Sequence, residues 1–322
     1  MLVPVLLFLL GLALLIKGGD WFVDGATGLA HRFHLPELLI GATVVSIGTT
    51  LPEVMVSAQA ALAHNSGISY GNAIGSVICN TSLIAAITVA IRPSLVNKKT
   101  LRLPVTAFFL AAIFYAGIAY TQGEFKRWQG ILLLCGFVTY MVITVVQMKK
   151  HPDTVEVEEE EAQKERPLWL ELVLLVVGAA AIAFGANLLV DNGTKIAAAL
   201  GVPDSVIGLT MVALGTSLPE LVTAITSLVK GHSALSLGNI IGANLFNLVL
   251  VSGTAITIRP FAIPAEKTLN GVNASLMVDI PVMFAVMIIL CIPSLIRGKL
   301  YRWQGILLLA MYVAFTAFQF VM

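Results

Sequence analysis

Charged side chains are scarce in this sequence. Asp, Glu, Lys and Arg make up 11% of its 322 residues, against about 25% in ordinary soluble domains. Hydrophobic residues make up 58%, and the mean hydropathy is +0.92. So little polar surface cannot cover a soluble globule of this length, which excludes that class. The composition predicts an integral α-helical membrane protein.

Cysteine is scarce as well, since Cys79, Cys135 and Cys291 stand singly in apolar runs. An odd, unclustered set indicates neither a disulfide framework nor a zinc knuckle. The net charge of +1 is spread over short connections, so no nucleic-acid partner is expected. A phosphate loop, a nucleophile triad and a cofactor fingerprint are all missing. The sequence therefore predicts no enzyme and no cofactor, and it leaves the oligomeric state open.

Apolar runs are abundant, and a run of roughly 20 residues is enough to cross a bilayer. Ten such runs are expected, at about 2–24, 36–63, 68–91, 103–121, 128–147, 168–191, 203–230, 235–258, 275–295 and 303–321. The first is interpreted as a membrane helix and not as a removed signal peptide, because no basic residue precedes it and no clear cleavage site follows it. The predicted fold is all-α, with ten transmembrane helices.

The two halves of the chain repeat one another. At an offset of 167, residues 41–80 and 208–247 agree at 15 of 40 positions. Five spans per half is an odd number, so the second half is expected to be inverted in the membrane, as in many transporters. The predicted units are a first five-helix repeat at 1–147 (α-repeat about 36–91), an acidic linker at 148–167 and a second five-helix repeat at 168–322 (α-repeat about 203–258).

Lys and Arg in the connections predict the orientation. With the N-terminus outside, the inner connections hold 13 of these residues and the outer ones five. The positive-inside rule then places both termini outside and the 148–167 linker in the cytoplasm, for a multi-pass protein of the cell (inner) membrane. For the acidic residues of this linker, a solvated connection is favoured over a regulatory calcium site.

Each half also places a glutamate inside a long apolar segment. These are Glu53, in Gly48-Thr49-Thr50-Leu51-Pro52-Glu53, and Glu220, in Gly215-Thr216-Ser217-Leu218-Pro219-Glu220. A carboxylate at mid-membrane costs at least ~2.5 kcal/mol on insertion scales, and neither segment offers Lys or Arg as a partner. A bound cation or a proton remains. A protonated glutamate bonded to nearby backbone is the alternative, which symmetric placement of two such residues disfavours.

The neighbours of these glutamates supply further oxygen atoms. Pro52 and Pro219 cannot donate a backbone hydrogen bond, and each frees the carbonyl of the glycine four residues earlier. The same stretches carry hydroxyls at Thr49, Thr50, Thr216 and Ser217. Carbonyl, hydroxyl and carboxylate oxygens are hard ligands that suit Na⁺ and Ca²⁺ and are poor ligands for zinc or copper.

A second repeated stretch follows in the next span of each half. It reads Gly71-Asn72-Ala73-Ile74-Gly75-Ser76 with Asn80, and Gly238-Asn239-Ile240-Ile241-Gly242-Ala243 with Asn247. The glycines are four apart, and close helix packing can explain them. Asn80 and Asn247 lie on apolar faces, where their side-chain carbonyls can complete an oxygen cage. An interhelical hydrogen bond is the alternative reading of these asparagines.

The doubled Gly-Thr-[Ser/Thr]-Leu-Pro-Glu, followed by Gly-Asn-x-Ile-Gly-[Ser/Ala], resembles the paired α-repeats of the sodium/calcium exchanger family of cation/calcium antiporters, in its prokaryotic form. The resemblance covers essentially the whole chain. It implies extrusion of Ca²⁺ coupled to entry of Na⁺ by alternating access. By motif position it implies a central set of ligands: Glu53, Glu220, Thr49, Thr216, Thr50, Ser217, Ser76, Asn80, Asn247 and the carbonyls of Ser46 and Ala213.

The chain departs from the family pattern in two places. Ala243 stands where the first half has Ser76, and Val77 replaces an asparagine that Asn244 keeps in the second half. The coupling ratio is therefore left open. A Ca²⁺/H⁺ antiporter using the same glutamates is the first alternative function, although that branch carries Gly-Asn-x-x-Glu in place of Leu-Pro-Glu. A non-transporting membrane sensor or scaffold is the second.

Overall fold

The computed structural model describes residues 2–150, 166–200, 215–264, 268–269 and 271–321. Within these residues the chain forms ten helices, in the order α1 Leu2–Arg32, α2 Glu37–Leu62, α3 Ser66–Ile91, α4 Lys98–Gln122, α5 Arg127–Lys150, α6 Leu168–Ala199, α7 Leu218–Val229, α8 Ser233–Ile258, α9 Ser275–Arg297 and α10 Arg302–Val321. Eight of them are long and apolar enough to cross a bilayer. The prediction of an all-α membrane fold with ten helices is confirmed.

Two predicted segments fall partly or wholly outside the described residues. The seventh span was expected to begin at about 203, and the described part of α7 begins at Leu218. The acidic residues Asp153 to Glu165 of the predicted linker also lie outside the described residues. The boundaries of the two repeats and of the linker therefore stay a prediction.

The first helix of each repeat is longer than its apolar run. The spans predicted at 2–24 and 168–191 continue as helix to Arg32 and Ala199. At 1.5 Å per residue, the 31 residues of α1 measure about 46 Å, more than the ~30 Å of the hydrocarbon core. The added turns of α1 pack on α6, because a Cβ at Gly25 would lie 2.6 Å from the carbonyl oxygen of Glu171. Tertiary contact, not hydropathy, extends this helix.

Helices α1 and α6 form an antiparallel pair around a seam of glycines. A Cβ at Gly11 would lie 2.8 Å from the carbonyl oxygen of Gly185, and a Cβ at Gly18 would lie 3.0 Å from that of Gly178. Gly178 and Gly185 are the counterparts of Gly11 and Gly18 at the offset of 167. Replacing each glycine of the Gly11–Gly185 contact by its counterpart therefore gives the Gly178–Gly18 contact. A twofold axis between inverted repeats produces this pattern.

The fifth helix of each repeat packs on the third helix of the other repeat. A Cβ at Gly130 of α5 would lie 2.7 Å from the amide nitrogen of Thr257 in α8, and a Cβ at Gly305 of α10 would lie 2.6 Å from that of Ala90 in α3. These two contacts are again related by the repeat. Each half therefore packs its fifth helix on the other half, and the two halves enclose one common core.

The repeated Arg-Trp-Gln-Gly-Ile sequence begins these fifth helices. The Gln129 side chain accepts from the amide of Lys126, and Gln304 accepts in the same way from the amide of Tyr301. Arg127 donates to the carbonyl of Ile258 at 3.3 Å, and Arg302 donates to that of Ile91 at 3.4 Å. The glutamine caps its own helix, and the arginine satisfies the last carbonyl of the facing helix, which has no partner within its own helix.

The connections pair at the two ends of the bundle. At one end, called here the linker face, Val96 donates to the carbonyl of Gly298 and Leu300 donates to that of Ser94. At the other end, called the terminal face, β1 (Glu124–Phe125) and β2 (Phe261–Ala262) form an antiparallel pair. A short hairpin, β3 (Thr268–Leu269) and β4 (Val272–Asn273), lies in the same connection as β2. Paired connections must lie on one side of the membrane, which agrees with the alternating topology of the prediction.

Among the described residues, four helices contain a π-helical turn, in which the hydrogen bonds are looser than in an α-helix. These turns are Gly41–Val45 in α2, Asn80–Ala85 in α3, Asn247–Val251 in α8 and Ser275–Asp279 in α9. Two of them begin at Asn80 and Asn247, which are predicted ligands. Such turns are frequent at functional sites, and here they draw attention to the middle of α3 and α8.

Candidate cation site between the two repeats

Glu53 of α2 and Glu220 of α7 lie in the interior of the bundle, and both are fully buried. They come from opposite repeats and are close enough for their charges to repel. In the part of the chain that the structure describes, neither residue forms an ion pair, and none of their four carboxylate oxygens has a hydrogen-bond partner. Two buried carboxylates without protein partners are costly unless a cation or a proton neutralises them.

Four more of the predicted ligands share this condition. Their side-chain oxygens are buried and have no hydrogen-bond partner among the described residues: Thr50, Asn80, Ser217 and Asn247. Buried polar atoms are nearly always paired in folded proteins, so six unpaired residues at predicted ligand positions form an unusual concentration. All six offer hard oxygen ligands, which fits Na⁺ or Ca²⁺.

The π turns of α3 and α8 bring the asparagines to the glutamate-bearing helices of the opposite repeat. The turn that begins at Asn80 packs against α7, which carries Glu220, and the turn that begins at Asn247 packs against α2, which carries Glu53. Each repeat thus places its asparagine next to the glutamate-bearing helix of the other.

Ser46 and Thr49 are both bonded to Asn239, a residue that was not among the predicted ligands. The Asn239 Oδ1 atom accepts from the Thr49 hydroxyl at 3.2 Å and from the Ser46 hydroxyl at 3.3 Å. Thr49 also lies beside the Glu220 carboxylate and 3.5 Å from the carbonyl oxygen of Ser46. Asn239 therefore positions two predicted ligands, and its place in the repeated Gly-Asn sequence was the signal for it.

Asn72 is the counterpart of Asn239 in the first repeat, and it was missed as well. Its amide nitrogen donates to the backbone carbonyl of Glu53 at 3.0 Å and to the hydroxyl of Ser57 at 2.9 Å. This bond holds the backbone of α2 at the glutamate. In the sequence, the glycines beside both asparagines indicated only close helix packing. In the structure, the asparagines position predicted ligands and the backbone of Glu53.

Three predicted ligands remain. Ser76 is buried on α3, one turn before Asn80. Thr216 is half-buried in a turn just before α7, and Ala213 lies outside the described residues.

The two proline stretches differ in backbone. Pro52 lies inside α2, which continues as helix through residue 62, whereas residues 216–217 form a turn before Pro219. The two carbonyls that the prolines were expected to free therefore differ in their surroundings: that of Gly48 lies inside a helix, and that of Gly215 lies next to a turn.

The positions where the chain departs from the repeat pattern lie in the core. Val77 and Ala243 are fully buried. The Asn244 amide donates to the Thr81 hydroxyl at 2.7 Å and to the sulfur of Met287 at 3.2 Å. Asn244 therefore ties α8 to α3 and α9, and the two repeats are not equivalent around the glutamates.

A narrow cavity lies beside the site, and its empty volume is about 180 Å³, part of it open to the surface. Thr49, Pro52 and Pro219 line it on one side, and Phe22 and Ala183 line it on the other. The cavity thus separates the paired helices α1 and α6 from the two proline stretches. Phe22 closes on Gly48, since a Cβ there would lie 2.8 Å from the Phe22 ring.

Comparison with known families matches residues 3–146 and 170–321 to the family described as sodium/calcium exchanger protein. The chain belongs to the sodium/calcium exchanger family. The family resemblance seen in the repeated motifs is thereby confirmed. This is a family of exchangers, not of enzymes, and the chain is a multi-pass membrane protein.

Relatives in this exchanger family cover nearly the whole chain. The sodium/calcium exchanger MaX1 of Methanosarcina acetivorans is 31% identical over 353 residues, covering 99% of each chain. The inner membrane protein YrbG of Escherichia coli is 35% identical over 290 residues, covering 87% of each. The structure of the sodium-calcium exchanger NCX_Mj, soaked with Na⁺ and Ca²⁺, matches with a TM-score of 0.81 at 36% identity over 98% of both chains.

Proposed function

We propose that this protein is a secondary active antiporter that exchanges Ca²⁺ for Na⁺ by alternating access. Both ions would bind at one site shared by Glu53 and Glu220. The observation that carries the proposal is a set of six buried residues from both repeats. Their side-chain oxygens have no hydrogen-bond partner among the residues that the structure describes. Family membership supports cation and Ca²⁺ exchange, and the choice of residues is our inference.

Charge explains why one site would give exchange. Two ionised glutamates carry −2, which one Ca²⁺ neutralises, and Na⁺ ions can replace the Ca²⁺ but not share the site with it. An empty site would leave two carboxylates unpaired in the interior, at a cost of several kcal/mol per ion. A loaded, neutral site therefore crosses between the two faces more cheaply than an empty one, and this difference couples the two ions.

The proposed ligands divide into three groups by chemistry. The carboxylates of Glu53 and Glu220 supply the charge. Hydroxyls and amides supply neutral oxygens, from Thr49, Thr50, Ser76, Asn80, Thr216, Ser217 and Asn247. The backbone carbonyls of Ser46 and Ala213 complete the set. Asn239 and Asn72 would act as positioning residues, since they hold Thr49, Ser46 and the backbone of Glu53.

We propose that the protein lies in the cell (inner) membrane, with the linker face toward the cytoplasm and both termini outside. The excess of Lys and Arg on the linker face supports this orientation. The predicted units, 1–147 and 168–322 joined by the 148–167 linker, would then place one repeat inverted relative to the other.

Ca²⁺ flux into proteoliposomes tests the exchange directly. An imposed Na⁺ gradient should drive uptake of Ca²⁺, and an imposed pH gradient of the same size should not. Uptake driven only by the pH gradient would favour the Ca²⁺/H⁺ antiporter. A non-transporting sensor or scaffold would show no flux under either gradient, and that result would refute antiport altogether.

A further inference from the structure

A second polar pocket lies on the linker face, away from the two glutamates. It is formed by the end of α3, the start of α8 and the connection between α9 and α10, and its empty volume is about 250 Å³, part of it open to the surface. Its polar lining consists of Thr88, Arg92, Ser94, Ser233 and Ser236. None of the described residues that line it is Asp or Glu, so this lining offers hydrogen-bond donors and positive charge.

Two features of this pocket favour an anion. The Arg92 guanidinium donates to the carbonyl of Leu228 at 3.3 Å, and a guanidinium has five N–H donors in all. Helix α8 begins at Ser233, in the wall of the pocket, and runs to Ile258. The first amides of a helix of this length carry partial positive charge and have no partner within the helix.

Ser236 supplies an independent sign of a ligand. It is only 2% exposed, it lines the pocket, and its hydroxyl has no hydrogen-bond partner within the described part of the chain. Its counterpart in the first repeat, Ser69, donates to the carbonyl of Ser57 at 3.0 Å. The serine hydroxyl at this repeat position is therefore hydrogen-bonded on the terminal face, at Ser69, and has no described partner on the linker face, at Ser236.

The surrounding chain is strongly basic. Residues 91–102 carry four Lys or Arg, residues 296–302 carry three, and neither segment has Asp or Glu. Backbone hydrogen bonds join the two segments at Val96–Gly298 and at Ser94–Leu300. The counterparts of these segments in the sequence, 258–269 and 121–127, carry four basic and two acidic residues. An anion that reaches this pocket therefore meets the positive charge of these two segments, which hold no acidic residue of their own.

We propose that this pocket binds a phosphate group, supplied by the headgroup of an anionic membrane lipid or by free phosphate. Arg92 would pair with the phosphate charge, and the hydroxyls of Ser233 and Ser236 would donate to its oxygens. Arginine and helix N-termini are the donors that proteins use for phosphate, and basic pockets between membrane helices bind anionic headgroups. The bound group ties α3, α8 and the α9–α10 connection together.

The test uses the full chain in phosphatidylcholine nanodiscs and measures the thermal unfolding midpoint. One arm replaces increasing fractions of the lipid with phosphatidylglycerol, and the other adds inorganic phosphate against chloride at equal ionic strength. The midpoint should rise and saturate in at least one arm, and the responding arm identifies the source. Arg92→Gln should raise the half-saturating concentration about tenfold, and Ser236→Ala should raise it in the same direction.

Arg259→Gln is the matched control, because Arg259 is the counterpart of Arg92 on the terminal face, where it contacts His64. It should leave the half-saturating concentration within about twofold of that of the wild type, since removing one charge on the terminal face changes no phosphate contact.

If Arg92→Gln does not fold, Ser236→Ala and Arg92→Lys decide the question. A wild type that responds in neither arm would overturn the proposal. So would variants at Arg92 and Ser236 that respond as the wild type does, since diffuse charge would then account for the effect.

Discussion

The Thr49 hydroxyl donates to Asn239 Oδ1 across 3.2 Å, and this bond joins the first repeat to the second one helical turn before Glu53. The same amide oxygen accepts from Ser46. Thr49 in turn lies beside Glu220. A single asparagine therefore connects residues that surround both glutamates, and it does so from a helix, α8, that carries another proposed ligand.

Replacing Asn239 with alanine should weaken both stability and ion binding. Hydrogen bonds between membrane helices contribute about 0.6 to 2 kcal/mol, and the variant loses two of them. Added Ca²⁺ should raise the unfolding midpoint of the wild type, because a ligand that binds only the folded state stabilises it, and should raise that of Asn239→Ala by less. Asn273→Ala is the control, since this residue bonds to Pro264 near the hairpin. Equal Ca²⁺ responses in all three proteins would contradict the positioning role.

The contact between α1 and α6 should not tolerate a single methyl group at its centre. In Gly178→Ala the added Cβ would lie 2.5 Å from the amide nitrogen of Phe22, and backbone cannot move aside as a flexible side chain can. Overpacking of this kind costs about 1 to 3 kcal/mol. Gly117→Ala is the control, because its Cβ would meet no described atom within 4 Å. Thermal midpoints in detergent measure both, and a Gly178→Ala variant as stable as the control would refute the close seam.

The proposed orientation can be tested with single cysteines. Ala63 is exposed on the terminal face, and Leu95 is exposed on the linker face. In a chain with Cys135 replaced by alanine, the remaining Cys79 and Cys291 are buried. A membrane-impermeant maleimide added to intact cells should label Ala63→Cys and spare Leu95→Cys. The reverse pattern would place the linker face outside. That result would contradict the proposed orientation but not the fold.

The candidate site is the part of this protein that the sequence alone indicates most clearly. A carboxylate in an apolar span is costly wherever the span packs, so Glu53 and Glu220 are informative without any structure. The repeat then predicts that both glutamates belong to one site. Asn80 and Asn247 follow from the same argument, because an amide on an apolar face also needs a partner.

Contacts between distant segments could not be predicted. The Arg127 side chain was visible as part of a repeated sequence, but its acceptor, the Ile258 carbonyl, is 131 residues away. Asn239 follows a glycine, and helix packing already explains that glycine. The π turns at Asn80 and Asn247 have no established sequence pattern. The extra turns of α1 depend on contact with Glu171, which hydropathy does not register.

The most direct measurement is Na⁺-driven Ca²⁺ uptake into proteoliposomes by Glu53→Gln and by Glu220→Gln. Glutamine keeps the shape of the side chain and removes one of the two charges, so a single Ca²⁺ is no longer neutralised. Glu124→Gln serves as the control, because this glutamate is exposed and pairs with Lys126 on the terminal face. We expect both site variants to fold, to match the elution profile of the wild type and to show only the uptake of empty liposomes, while the control transports normally. Uptake near the wild-type rate in either site variant would contradict the shared glutamate site.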